Sequence, residues 1–309
     1  KATATSGAPA FEKISCLGEG AFGAVWLAQR RRDGLFVALK EVPRQRLAAS
    51  EAGSRYLWEE RAALRAVAIA RADPALASLV SPALVAAVAS YATAAALCLV
   101  MDLVQGAPLH EHVRRAVRRK GDGEGGSDAG LPEATARWYV AEIAGALGWL
   151  HGAGWLYRDL KMSNVMVSAL DGRVRLVDFG FAKRAERACS VVGSLHAMAP
   201  EVIRCAADPG LDYGCAVDWW SLGVLLFEVL SGDAPFGYHE DVSIEGKEML
   251  EKQASAAENG LRWPAALPGC PEARAACAAL LRERAEERLG GRADLEEVQA
   301  HGFFATADW

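Results

Sequence analysis

Between residues 157 and 180 the chain reads Tyr157-Arg158-Asp159-Leu160-Lys161-Met162-Ser163-Asn164 and then, after a short hairpin pattern, Asp178-Phe179-Gly180. A carboxylate, a lysine two residues on and an amide three beyond that suit three tasks: deprotonating a hydroxyl, neutralising a transferring phosphoryl group and ligating a metal. Asp178 adds a second carboxylate able to hold a Mg²⁺ that bridges nucleotide phosphates. These residue types at this spacing point to phosphoryl transfer.

Three further segments must position them. Gly18-Glu19-Gly20-Ala21-Phe22-Gly23-Ala24-Val25 lies between strand-like runs, Phe11 to Leu17 and Ala24 to Gln29. That setting fits a hairpin better than the strand-to-helix turn of a dinucleotide site. Val37-Ala38-Leu39-Lys40 follows, and Ala199-Pro200-Glu201 closes the series. In this order the motifs resemble the glycine loop, third-strand lysine, catalytic loop, metal loop and activation-segment end of the protein kinase catalytic domain.

Length and composition agree. A chain of 309 residues, 52% hydrophobic, is long enough for two domains or lobes with a large core. A net charge of −5 gives no bulk attraction to nucleic acid or to a membrane surface. Seven cysteines, an odd number without a C-x-x-C pair, favour a reducing, intracellular and cytoplasmic setting over a disulfide framework or a zinc site. No charged-then-apolar leader opens the chain, so a targeting segment is absent or lies outside this stretch. Pro74 to Met101 carries no charge, but its proline, serines and many alanines argue against membrane insertion. The register divides it into a fourth strand near Leu84 to Tyr91 and a fifth, Leu97 to Leu103, leading to a hinge.

The expected fold class is α+β, a bilobal protein kinase fold. Residues 1–101 form a small nucleotide-binding lobe, an antiparallel sheet with one helix from about Arg55 to Ala70. Residues 102–309 form the hinge and a larger, mainly helical, catalytic and substrate-binding lobe. On the small-lobe helix Leu57, Glu60, Leu64 and Val67 recur at helical spacing, which sets Glu60 on an apolar face where an unpaired charge is costly; Lys40 is its expected partner. The glycine-rich run Gly121 to Gly130 reads as a disordered loop after the basic cluster Arg114 to Lys120. Leu131 to His151 reads as a helix and Asp171-Gly172 as a hairpin turn.

The resemblance implies roles residue by residue. Backbone amides of Gly18, Gly20 and Gly23 would cover ATP phosphates; Lys40, paired with Glu60, would bind them; Asn164 and Asp178 would ligate Mg²⁺. Asp159 would orient the attacking hydroxyl and accept its proton, and Lys161 would neutralise the γ-phosphoryl charge. Val25, Ala38 and Met166 would sandwich adenine, Met101 would guard the pocket behind it, and main-chain groups of Asp102 and Val104 would meet its edge. Lys161 marks the serine/threonine type, with a protein as substrate. Tyr157-Arg158-Asp159, Asp218-Trp219-Trp220 and the ending His301 to Trp309 resemble the cyclic-nucleotide-dependent kinases of the AGC group. A regulatory subunit, or a regulatory domain in cis, is the further partner this implies. Ser190, eleven positions before Glu201, stands in register with the activating phosphorylation site, with Arg158 and Lys183 to receive the phosphate.

Departures stand beside the matches. Met162-Ser163, His196 and Pro108 replace residues that include three acidic receivers of substrate arginine, and only Glu228 keeps a fourth. Extra residues fall near Ala68 to Val80 and Ala206 to Gly210. Two other readings are a pseudokinase scaffold with little turnover, which loss of Lys40, Asp159, Asn164 or Asp178 would signal, and a small-molecule phosphotransferase, which lacks Ala-Pro-Glu and the Asp218 helix.

Overall fold

The computed structural model describes residues 10–20, 23–49, 51–121, 130–240, 244–264, 271–307 and 309. The β-branched and aromatic runs near the N-terminus pair into one antiparallel sheet: β1 (Phe11–Gly20), β2 (Gly23–Arg30), β3 (Phe36–Pro43), β4 (Ala87–Ala92) and β5 (Ala96–Asp102), in spatial order β1-β2-β3-β5-β4. Between β3 and β4 the chain forms α1 (Arg44–Ala48) and α2 (Glu51–Ala72). On α2, Leu57, Glu60, Ala63, Leu64, Val67 and Ala70 are buried while Trp58 and Ile69 face out, an amphipathic stripe at helical period.

This helix begins four residues earlier and ends two later than its expected span. The alanine-rich start of the extra segment simply continues the helix, and Arg71 in the last turn fixes it there, 2.9 Å from the Asp102 carboxylate and hydrogen-bonded to the Leu84 carbonyl. The fourth strand also starts later than expected. Leu84 bridges Leu176 of the large lobe instead, with the Leu176 N–H on the Ala83 carbonyl. The uncharged run 74–101 is thus a turn and two strands, and among the described residues no helix is long and apolar enough to cross a membrane.

After β5 come β6 (Gly106–Pro108), α3 (Leu109–Gly121), α4 (Glu133–Gly152), β7 (Trp155–Leu156), β8 (Val165–Ser168), β9 (Val174–Leu176) and β10 (Lys183–Arg184). β6, β8 and β9 make a small antiparallel sheet, and β7 pairs with β10. Most of the glycine-rich run expected to be disordered, 122–129, lies outside the described residues. The chain ends in α5 (Pro200–Arg204), α6 (Ala216–Ser231), α7 (Gly246–Asn259), α8 (Pro271–Leu280) and α9 (Asp294–Ala300).

Every residue of α6 is buried, as expected of a helix apolar nearly all round, and Gly232 ends it in the left-handed conformation that a side chain disfavours. One hydrophobic core runs from Ala38, Leu64 and Met101 through Leu150 and Leu176 to Leu225 and Leu280. The sheet, α2 and the helical lobe therefore bear on a common interior.

Candidate active site

β1 and β2 pair Gly20 with Gly23 at the end of their hairpin; Ala21 and Phe22, between them, lie outside the described residues. A Cβ on Gly18 would meet nothing within 4 Å, and one on Gly20 only the Gly23 carbonyl at 4.0 Å. These two leave room for a ligand to approach the backbone. Gly23 has a different reason to be glycine: a Cβ there would sit 2.1 Å from the Glu41 carbonyl oxygen, so a side chain would push β2 away from β3.

Behind the hairpin, Lys40 Nζ lies 2.7 and 2.8 Å from the two oxygens of Glu60 and 3.5 Å from Asp178 Oδ1. Burial alone would lower the pKa of the Lys40 ammonium, but the Glu60 and Asp178 carboxylates outweigh it and carry it above the ordinary value. Lysine 40 therefore stays charged. Asp178 has φ 59°, a left-handed backbone held by its own carboxylate accepting the Gly180 N–H at 3.0 Å. Burial opposes ionisation of Asp178, yet Lys40 and that N–H draw its pKa below the usual carboxylate range.

The loop 157–164 is suspended from α6. Asp218, completely buried, accepts the N–H groups of Tyr157 at 2.9 Å and Arg158 at 2.7 Å. These bonds hold Arg158 at φ 69°, a conformation costing a non-glycine residue about 1–2 kcal/mol. Tyr157 adds a bond from its hydroxyl to the Val177 carbonyl at 2.7 Å.

Asp159 projects from this frame, 7% exposed. Burial raises its pKa, while Lys161, the Ser194 hydroxyl and the Asn164 amide temper the rise. Asn164 Nδ2 donates to the Asp159 carbonyl at 2.9 Å and to its Oδ2 at 2.8 Å. Both amide hydrogens are thus engaged, and the carbonyl oxygen of Asn164 remains. Ser194 Oγ donates to Asp159 Oδ1 at 2.9 Å and accepts from Lys161 Nζ at 2.8 Å. Lys161 also lies 2.7 Å from Glu240.

The residues expected around adenine are less tightly gathered. Ala38 and Met101 face each other across β3 and β5 and share the core with Val25, whereas Met166 is half-buried on β8. The Asp102 N–H donates to the Ala86 carbonyl at 3.1 Å, so a main-chain contact of Asp102 with a base edge would come from its carbonyl. Val104 packs partly against the core in the segment that follows.

In the segment before Ala199, Arg158 Nη1 donates to Ser190 Oγ at 2.8 Å, and the Tyr213 hydroxyl donates to the Ser190 carbonyl at 2.5 Å. Lys183 pairs through its backbone with Leu156, and no side-chain bond joins it to Ser190 among the described residues.

Ser194, Asp218 and Glu240 are the site residues to which sequence reasoning gave no role. Ser194 had a weak signal as a hydroxyl ahead of Ala-Pro-Glu, and Asp218 a stronger one as a carboxylate opening an apolar helix. Glu240 had none.

The protein kinase domain model matches residues 11–304. The chain is 33% identical over 304 residues to RAC-beta serine/threonine-protein kinase B of Xenopus laevis, an alignment covering 97% of this chain and 54% of that protein. It is 33% identical over 306 residues to serine/threonine-protein kinase Sgk2 of Homo sapiens, covering 97% and 72%, and 34% over 303 to serine/threonine-protein kinase Sgk3 of Mus musculus, covering 97% and 53%. The chain spans about half the length of the first and third of these relatives. With a family match over nearly its whole length, and the sheet, helices and converging side chains described above, the chain belongs to the protein kinase domain family.

Proposed function

We propose that this chain is a protein serine/threonine kinase that moves the γ-phosphoryl group of ATP, with Mg²⁺, to a hydroxyl of a protein substrate. The observation that carries the reading is the oxygen pair left open beside Asp159. Asn164 commits both amide hydrogens to Asp159 and keeps its carbonyl oxygen, and Asp178, whose side chain is 51% exposed, offers a carboxylate held in the ionised form. Two such oxygens suit a hard, oxygen-seeking cation. Bound Mg²⁺ would neutralise charge on the nucleotide phosphates.

The chain's own residues supply the rest. Lys40, kept charged by Glu60, binds phosphate oxygens under Gly18 and Gly20, while Val25, Ala38, Met101, Met166 and the backbone at Asp102 and Val104 form the base pocket. Asp159, its pKa raised by burial, orients the substrate hydroxyl and takes its proton. Lys161 offsets charge developing on the transferred group. We set the boundary of the two lobes at residues 101 and 102. All four residues whose loss would signal a silent scaffold are present. The Lys161 position and the serine/threonine kinases aligned above support hydroxyl acceptors of that type. Within the family the motifs place the chain in the AGC group; identities of 33–34% to RAC-beta and Sgk kinases support the group without singling out its cyclic-nucleotide-dependent branch. The six described cysteines are free, which supports a reducing intracellular setting.

The test is phosphate transfer from labelled Mg-ATP to a peptide library. Incorporation into serine and threonine peptides that disappears in Asp178→Asn is the expected result. An unmutated protein that binds Mg-ATP but labels no peptide would replace this reading by the scaffold.

A further inference from the structure

Arg71 belongs to the extra residues near Ala68 to Val80 that the kinase motifs leave unexplained. Because those residues continue α2 instead of ending it, the guanidinium arrives at the hinge: Nη1 donates to Asp102 Oδ2 at 2.9 Å and Nη2 to the Leu84 carbonyl. Glu60 stands eleven residues earlier on the same helix, about 16 Å along its axis at 1.5 Å per residue. Three turns of one helix therefore separate the carboxylate that holds Lys40 from the guanidinium that holds the hinge.

Asp102 is also fixed on the strand beside it. Its Oδ2 accepts the Ala86 N–H at 2.9 Å, and its own N–H donates to the Ala86 carbonyl at 3.1 Å. Leu84, the second acceptor of Arg71, bridges Leu176 of the large lobe, two residues ahead of Asp178. Ala86 sets Asp102 relative to β4, and Arg71 adds the tie to α2 and to the turn between the lobes. With side chains 34% and 41% exposed, the Arg71–Asp102 pair adds little stability. What it fixes is geometry, since a planar guanidinium shared between a carboxylate and a carbonyl admits few relative placements of its two acceptors.

We propose that Arg71 is a positioning residue for nucleotide selection: by tying the extended end of α2 to Asp102 it aims the Asp102 carbonyl at the amino edge of adenine, so that preference for a 6-amino purine depends on this ion pair. The inference rests on the nucleotide reading above, in which the Asp102 carbonyl meets the base. Arg71 itself touches no nucleotide and acts through Asp102. On the edge of adenine the donor that a carbonyl can accept from is the 6-amino group, so loss of Arg71 should be felt only by bases that carry it.

The test uses equilibrium binding and needs no turnover. Dissociation constants for Mg-ATP and for the Mg complex of purine riboside triphosphate, which lacks only the 6-amino group, are measured on five proteins. These are the wild type, Arg71→Gln, Arg71→Lys, Asp102→Asn and the double variant Arg71→Gln/Asp102→Asn. The triphosphate is common to both nucleotides, so the ratio of the two constants isolates the base. The wild type should prefer ATP. Arg71→Gln should lose about two- to fivefold in ATP affinity with purine riboside triphosphate unchanged, and Arg71→Lys, which keeps a cation for Asp102, should lose less. Asp102→Asn should show the same selective loss, and the double variant should lose no more than either alone. Equal weakening of both nucleotides in Arg71→Gln, no weakening of either, losses that add fully in the double variant, or a wild type without preference for ATP overturns the proposal and leaves the kinase reading standing. Should Arg71→Gln fail to fold, the lysine and asparagine variants carry the same comparison. An unmutated protein that binds neither nucleotide overturns both.

Discussion

Arg288 is completely buried with its guanidinium forked onto the Glu201 carboxylate, Nη1 to Oε1 at 2.7 Å and Nη2 to Oε2 at 3.0 Å. Its remaining hydrogens reach the carbonyls of Ala216, Arg282 and Glu283, and its Cζ lies 5.2 Å from the Trp220 ring centroid. One side chain thus joins the end of the activation segment, the start of α6 and the segment before α9. Arg288→Ala would strand Glu201 and leave three carbonyls without donors, a loss of ~3–5 kcal/mol for a broken buried pair. Arg288→Lys keeps the charge but not the fork and should fall between. Urea unfolding measures both, and an unaltered midpoint in the alanine variant would remove this pair from the stability of the fold.

At the other end of the cleft, Lys40→Ala should separate two effects. Glu60, 2% exposed, would be left without its ammonium, so the small lobe loses stability as well as nucleotide affinity. In Lys40→Ala/Glu60→Gln no charge is stranded; stability should largely return, while ATP binding stays weak. Thermal melting and nucleotide titration on the single and double variants check this. A double variant that regains affinity would mean that Lys40 does not bind the phosphates.

The contrast between these residues and Glu240 shows what a sequence can and cannot display. Glu60 was legible because helical spacing set a carboxylate on an apolar face, and a buried charge demands a partner. Asp159, Lys161 and Asn164 were legible because they sit within six residues of one another. Ser194 and Glu240 reach Lys161 only through the path of the segment before Ala199 and the turn after α6, a juxtaposition that no local period encodes. The start of β4 was misplaced for a related reason: Leu84 looks like any strand residue, and its pairing with Leu176 is decided by packing across the lobes. The φ values of Arg158 and Asp178 were equally hidden: the first is imposed from outside by Asp218 of α6, and the second turns on the bond between the Asp178 carboxylate and the Gly180 N–H.

Ser190 already sits on the guanidinium that would receive its phosphate, with Arg158 Nη1 at 2.8 Å. A phosphate of charge about −1.5 to −2 would strengthen that contact and hold the loop that carries Asp159. Tyr56 of α2 packs edge-on against Phe181, 5.6 Å between centroids, and offers no cation to the phosphate. The gain should therefore appear in the catalytic loop more than in α2. Ser190→Ala should lower kcat with little change in ATP affinity, measured beside mass-spectrometric mapping of the wild type. Full activity in Ser190→Ala, or in wild type that carries no phosphate at Ser190, rules out the switch.

Beneath the catalytic loop, His151 is clamped between two carboxylates, Nε2 to Asp218 at 3.0 Å and Nδ1 to Asp294 at 2.8 Å. Burial opposes its charge, but Asp218 and Asp294 raise its pKa from 6.5 to about 9. Because the folded value is the higher one, the charged imidazole contributes stability in full below pH 6.5, and the contribution is lost as pH rises through 9. The span corresponds to at most about 3 kcal/mol. Glu228 acts in the same direction at lower pH. Its carboxyl is pushed from 4.5 up to about 8 by burial, so the folded chain keeps a proton that the unfolded chain releases, and stability falls between these values. The two contributions separate by mutation: Glu228→Gln should flatten the decline from pH 4.5 to 8, and Asp294→Asn, by removing one carboxylate from His151, should make the decline from pH 6.5 to 9 shallower. Urea unfolding at pH 5, 6.5, 8 and 9.5 on the three proteins gives the slopes. If Asp294→Asn declines as steeply as the wild type above pH 6.5, the Asp294 carboxylate does not contribute to the charge on His151, and Asp218 sustains it alone.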